Sequence, residues 1–475
     1  MATGVETNAE GEEAAGGAAD VGVGERAVRT VTRRLLPVLF VLYVVNFLDR
    51  ANIGVAALAM NADLHLSSAA YGTAAGIFFV GYVVFHVPAA MALGRFGARR
   101  WLACVITTWG LCSAATAFVT DAHGLYAARF CLGVAEAGFF PGVVAYLAAW
   151  IPARQRTRAL AAFLLAIPVS TAIGLPTSGV LVAHSGILGL SGWRSMFLIE
   201  AVPAVVLGVA ALRLLPDTPR QAAWLTIPQQ RALEAQLAQD APPVGPKRSA
   251  FGRATIGRAV HFAVVHAGIS FSLYSLQFFL PQVISALFPG AGTSGVSALA
   301  AVPYAVAAPA MLLWSHRGEA AGSRTFVIAL PVAVAAQAAA LAALSHVPVL
   351  TVIALTVTVA GSLAIVPAFW SRCTGVLAGP HAATGIAGVN ALGSLVSFAG
   401  PYVTGHLTDA TGSYRPVYAL IACALAVSSA AALRLPTVPT TAVPRTRTPE
   451  GPHTEDNPPP TPHSDRPTTP GRTLH

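Results

Sequence analysis

The stretch "VLYVVNFLDRANIG", residues 41–54, sets an acid and a base, Asp49 and Arg50, side by side in a run that is otherwise almost wholly apolar. An ionisable side chain at the centre of a bilayer costs about 2.5–3.5 kcal/mol on insertion scales, so such a run either lies in water or turns its charges toward protein or a wet cavity. Asn46, Asp49, Arg50 and Ile53 recur at three and four residues, which puts the polar members on one side of a helix. That side is expected to line a central cavity.

Composition places the run in a membrane. Of the 475 residues, 55% are hydrophobic and only 10% charged, whereas a soluble domain carries about 25% charged residues. Apolar runs near the roughly 20 residues that cross a bilayer recur at 35–58, 71–93, 101–120, 125–149, 159–183 and 194–215. A second set follows at 260–287, 296–314, 325–345, 348–369, 383–407 and 416–435. The pattern predicts an all-α membrane protein with twelve transmembrane helices in two six-helix bundles.

The organisation expected is a bundle over 31–215, a cytoplasmic linker over 216–258, and a second bundle over 259–435. The first 25 residues lack both the basic start and the apolar core of a secretory signal, so residues 1–30 read as a disordered lead. The Pro- and Thr-rich tail, 436–475, cannot bury a core and is expected to be disordered too. Within the linker, "IPQQRALEAQLAQD" (227–240) sets Leu233 and Leu237 at helical spacing, which predicts a short helix lying on the inner membrane surface.

Basic loops stay on the cytoplasmic side. Arg95, Arg99 and Arg100 follow the second run, and Arg154, Arg156 and Arg158 the fourth; Lys247, Arg248, Arg253 and Arg258 precede the seventh. Arg317 and Arg324 follow the eighth and Arg372 the tenth, while the opposite loops offer Arg194 and Arg415. Both termini are therefore expected in the cytoplasm, with the chain in the cell (inner) membrane. The net charge of +9 restates this bias and does not indicate nucleic-acid binding. The five cysteines, Cys104, Cys112, Cys131, Cys373 and Cys423, have no ligand-like spacing and read as small apolar packers. Without a nucleotide-binding glycine loop, a metal-ligand cluster or a nucleophile elbow, neither an enzyme nor a bound cofactor or metal is expected.

The turns "LGRFGARRW" (93–101) and "SHRGEAAGSRTF" (315–326) occupy equivalent places in the two sets, each a short basic turn between helices. Two equivalent bundles with a site between them are the build of a rocking transporter. The chain then resembles the major facilitator superfamily, and within it the anion:cation symporter family, particularly bacterial organic-acid importers of the tartrate, phthalate and 4-hydroxyphenylacetate type. "NFLDRANIG", "GRFGARRW", "ARFCLGVAEAGFFPG", "GWRSMFLIEAVPA" and "GIAGVNALGSLVSFAGPY" carry the resemblance, in the family's order, over residues 41–402. There are departures. Gly94 stands where the signature turn usually has an aspartate, Ala320 where its second copy has a basic residue, and His86 where relatives commonly place a glutamate.

The fourth run repeats the opening arrangement: Arg129 and Glu136 are about two turns, or roughly 10.5 Å, apart on one face, with Gly133 between them where another helix or a ligand can approach. Arg50 and Arg129 are candidates for a bidentate clamp on an anion. Asp49 and Glu136, with His86 as an addition, are candidates for proton coupling: ionised, the two acids would neutralise both arginines, and protonated they would free them for substrate. Tyr82, Tyr274, Gln277, Trp370 and Asn390 are candidate substrate contacts, with ordinary packing an equal reading for each. His266 shares the helical spacing of Tyr274 and Gln277. Glu200 reads as packing or capping no less than coupling. Arg95, Gly97, Arg99 and Arg100 form the candidate gating loop.

The resemblance implies proton-coupled import of a small organic carboxylate by alternating access, the protein functioning as a monomer in the lipid bilayer. An exporter or exchanger of aromatic or drug-like anions is the alternative within transport, and a membrane sensor that binds without moving its ligand is the alternative outside it.

Overall fold

The computed structural model of the chain describes residues 6–240, 253–320, 325–377 and 382–436, which are helices and short turns, with no strand among the described residues. The first half runs through α1 (Glu6–Asp63), α2 (Ser68–Phe96), α3 (Ala98–Ala115), α4 (Ala122–Glu136), α5 (Phe139–Trp150), α6 (Ala153–Leu164), α7 (Ala166–His184) and α8 (Gly192–Leu214). Helix α9 (Ile227–Gln239) lies in the connection. The second half runs through α10 (Arg253–Leu287), α11 (Thr293–Ala320), α12 (Phe326–Leu344), α13 (Pro348–Ala364), α14 (Val366–Val376), α15 (Ala382–Thr411) and α16 (Arg415–Ala432). Among the described residues, twelve helical stretches are long and apolar enough to cross a membrane, and each coincides with an expected run. Two hydrophobic clusters form the interior, one drawn mainly from each half.

Three spans are broken, and proline breaks them. A proline lacks the N–H that would bond to the carbonyl four residues back, and its ring clashes with that carbonyl. Counting back four from Pro141, Pro168 and Pro367 reaches Ala137, Leu164 and Leu363, where α4, α6 and α13 stop within a residue. The interruption after α4 matters most, because it leaves Glu136 as the last residue before the break.

At its N-terminal end the structure departs from expectation. The lead over 1–30 is helical from Glu6 on, and Ala27, Val28 and Val31 are buried in the first cluster. Helix α9 is present, opened by a capping box between Thr226 and Gln229, but its Leu233 is fully buried and Leu237 packs on the same cluster. Helix α9 contacts α1, Trp224 stacks on Trp150, and Arg34 of α1 sits over Trp224 at 5.7 Å. The apolar stripe read as membrane-facing is therefore taken up by the protein's own first helix. The turn at 321–324, the linker segment 241–252 and the tail 437–475 lie outside the described residues.

The halves meet along α1 with α10, α2 with α15, and α7 with α11. Hydrogen bonds joining them cluster at the end opposite the N-terminus and α9. Both oxygens of Asp409, near the end of α15, accept backbone N–H groups at the start of α2, from Ser68 at 2.9 Å and Ala69 at 2.8 Å. Tyr71 donates to the Phe278 carbonyl at 2.8 Å and Asn61 to Gln282 at 3.3 Å. Gly72 and Gly405 let the backbones of α2 and α15 touch here, since a Cβ on either would strike main-chain atoms of the other helix. The far end differs. Between α2 and α3, Gly97 takes φ 78°, a left-handed conformation that suits glycine, and Arg99 donates to the Leu212 carbonyl and, at 3.2 Å, to Asp217. That basic turn is thus fastened to α8 of its own half, with Arg95 and Arg100 exposed.

Candidate functional site

Helix α1 carries Asn46, Asp49 and Arg50 into the interior; α4 brings Arg129 and Glu136 to meet them, and all five are buried. Gly133 makes the meeting possible. A Cβ there would collide with the Phe78 carbonyl, so α2 closes against α4 only because that position is bare. Arg50 Nε donates to Glu136 Oε2 at 2.6 Å, a buried charge-assisted bond, and the Asn46 amide sits beside the same carboxylate. The Arg50 guanidinium also lies 5.0 Å from the ring centre of Phe47, 5.1 Å from Phe78 and 5.4 Å from Tyr82. Tyr82 and Tyr274 stand next to it, one from each half.

Arg129 is different. It is fully buried, and none of its three guanidinium nitrogens has a hydrogen-bond partner among the described residues. Its charge rests on aromatic faces, 5.2 Å from Phe78 and 5.9 Å from Phe278. A cation–π contact returns about 0.5–2 kcal/mol, less than the several kcal/mol that desolvating an ion requires. Both arginines approach the Phe78 ring to about 5 Å, so their guanidinium carbons are at most about 10 Å apart.

The expected pairing of two acids with two arginines gives way to one pair. Asp49 takes no arginine; its Oδ1 accepts from Ser113 Oγ of α3 at 2.9 Å, and Trp109 of the same helix faces it. Arg129 has no carboxylate within ion-pair distance among the described residues. From the second half, Gln277 is buried with its Nε2 unpaired, and Tyr274 lies edge-on to Phe79 at 4.5 Å.

Other candidates gather elsewhere. Trp370 packs edge-on against His266 at 5.3 Å, and His266 stacks on Phe369 and presses on Gly393 of α15. Asn390 is half-buried one turn before that glycine. His86 is half-buried beside the Tyr82 ring at 5.7 Å. Sequence reasoning missed Phe78, Phe278, Ser113 and Trp109, whose residue types are ordinary in a span. It also left open Glu200, whose two oxygens accept from Ser178 at 2.6 Å and Asn52 at 3.0 Å.

The buried arginines thus gather beside the break after α4, with Tyr274 of the second half against them. Residues 39–292 match the model of the Major Facilitator Superfamily. A relative from Agrobacterium vitis named "Putative tartrate transporter" is 42% identical over 85% of this chain and 90% of its own. The chain belongs to the Major Facilitator Superfamily. Another relative, the "Quinolone resistance transporter" of Acinetobacter baumannii, is 34% identical over 81% of this chain and 89% of its own. Among solved structures, a bacterial homologue of the human lysosomal transporter Spinster, inward-facing and unoccupied, shares the fold with a TM-score of 0.70 at 17% identity, covering 85% of this chain and 96% of its own. This member of the superfamily is a multi-pass membrane transporter, not an enzyme.

Proposed function

We propose that the protein imports a small organic carboxylate together with protons by alternating access. The observation that carries this is Arg129: a buried guanidinium with five donors and no hydrogen-bond partner among the described residues is completed by an anion with a planar, two-oxygen face. Arg50 is held by Glu136. A proton on Glu136 removes that carboxylate's charge and frees Arg50 for a second oxygen of the substrate. Asp49, with one oxygen on Ser113 and the other unpaired, is the second proton acceptor. Tyr82, Tyr274 and Gln277 complete the enclosure; Asn390 and Trp370 meet substrate on the way out, and His86 tunes the pH response. The relative named for tartrate, at 42% identity, supports the carboxylate class.

On this reading the chain sits in the inner membrane with both termini and the basic turn of Arg95, Gly97, Arg99 and Arg100 in the cytoplasm. The end latched by Asp409 then faces outward, and the conformation is inward-facing. The bundles are 31–215 and 259–435, joined by the linker 216–258, and one chain suffices.

The aromatic rings around the cluster, together with the relative named for quinolone resistance, favour as a second reading the export of aromatic carboxylates. A thermal-shift screen of organic acids on purified protein tests the class, because a ligand stabilises by RT ln(1 + [L]/Kd). Short hydroxy- and dicarboxylates are expected to raise the melting temperature of the wild type and not of Arg129→Lys. Stabilisation by aromatic acids alone would favour the second reading, and stabilisation by cations or neutral solutes alone would contradict both.

A further inference from the structure

Glu200 of α8 is a third buried acid, and the mechanism above does not use it. Its Oε1 accepts from Ser178 Oγ on α7 at 2.6 Å and its Oε2 from Asn52 Nδ2 on α1 at 3.0 Å. Both donors are neutral, and among the described residues no basic side chain pairs with it. The membrane interior of the first half thus holds three buried acids, Asp49, Glu136 and Glu200, against two buried arginines, Arg50 and Arg129. Desolvation penalises a charge left without a countercharge, which makes this a place where one proton is held at low cost.

The two donors stand directly behind the contacts between the halves. Asn52 is two residues before Gly54, where α1 lies against the Gln277 and Phe278 carbonyls of α10. Ser178 adjoins Gly179, which abuts Ser297 of α11 and whose carbonyl accepts from Ser294 at 3.4 Å. A single carboxylate therefore braces both helices at the points where they touch the second half, at the latched end.

We propose that Glu200 is a third proton-binding position, and that its ionised form holds the latched end closed through Asn52 and Ser178. Hydrogen bonds from neutral donors to a carboxylate are roughly twice as strong as those to a neutral acceptor. A proton on Glu200 therefore weakens both braces, and the unpaired Asn52 Oδ1 is positioned, after an amide flip, to accept that proton's hydrogen bond. By linkage, if opening the latched end raises proton affinity, protons favour opening by the same factor. A carrier that loads protons where it opens outward and releases them inward needs that sign. The groups facing Glu200 are few. Helix α1 presents Asp49 as well as Asn52, α7 has no charged residue apart from His184 at its end, and α3 carries charge only at Arg99 and Arg100 at its far end.

The inference rests on alternating access and not on the identity of the substrate, so its test uses no substrate. A Ser297→Cys reporter in a background lacking the native cysteines is labelled with a maleimide in detergent across pH 5.5–8, normalised to denatured protein at each pH. With Glu200 present, labelling is expected to rise as pH falls, on the order of fivefold or more. Glu200→Gln is expected to flatten the curve near its low-pH level, and Ser178→Ala to raise labelling at pH 8 with the fold intact. No carboxylate is present in the assay, so its outcome does not depend on the carboxylate reading, and failure of this inference is distinguishable from failure of that reading. The same pH dependence in Glu200→Gln as in the parent, or none in the parent, would overturn the proposal. If Glu200→Gln does not fold, Ser178→Ala decides alone: labelling at pH 8 equal to the parent's would also overturn it.

Discussion

Arg129 is a guanidinium without a hydrogen-bond partner among the described residues, set among aromatic rings, and Arg50 is the same group with one. The difference predicts different behaviour on substitution. Arg129→Lys keeps the charge but replaces a planar fork with a point charge, so carboxylate binding is expected to weaken at least about tenfold, or about 1.4 kcal/mol, while the melting temperature of the empty protein changes little; a binding titration and a melting curve check both. Glu136→Ala strands Arg50 in the interior, where breaking a buried pair costs about 3–5 kcal/mol, and a marked fall in thermal stability is expected, smaller for Glu136→Gln. The four charged residues of the cluster were legible in the sequence because an ionisable group in an apolar run must turn toward protein or a cavity. Their partners were not. Phe78, Phe278 and Ser113 are what any span contains, and only packing turns two phenylalanines into supports for a cation. For the same reason the pairing of Asp49 went to a serine, which no charge count reveals.

Helices show a similar division. The twelve spans follow from run length, and the N-terminal turns of α1 became part of the fold because α9 gives Val28 and its neighbours something to bury against. The breaks at Ala137, Leu164 and Leu363 had a sequence signal in Pro141, Pro168 and Pro367, four residues on, that run length alone conceals. Gly133 carries an expectation of its own. Because any Cβ meets the backbone carbonyl of Phe78 and not a side chain able to swing away, Gly133→Val is expected to force α2 and α4 apart and to lose folded protein, measured as the monodisperse fraction after detergent extraction. A Gly133→Val variant that extracts and melts like the parent would show that this helix contact tolerates more room than its geometry allows.

Across the whole molecule, contacts between halves join residues far apart in the chain, Ala69 to Asp409 for example, 340 positions apart. No local pattern announces them, so the latched end was invisible in the sequence while the two-bundle plan was not. Asp409→Ala removes the acceptor of two N–H groups at the start of α2 and is expected to increase labelling of a cysteine at Ser297 at every pH, shifting the balance toward the opposite conformation; unchanged labelling would assign Asp409 to local capping. The measurement that bears most directly on the carrier as a whole is uptake of a stabilising carboxylate into proteoliposomes under an imposed pH gradient. The account predicts accumulation above equilibrium when the outside is acidic, collapse of that accumulation with a protonophore, and loss of gradient-driven uptake with retained exchange in Asp49→Asn and Glu136→Gln. Gradient-independent uptake by the wild type, or undiminished accumulation by both variants, would contradict it.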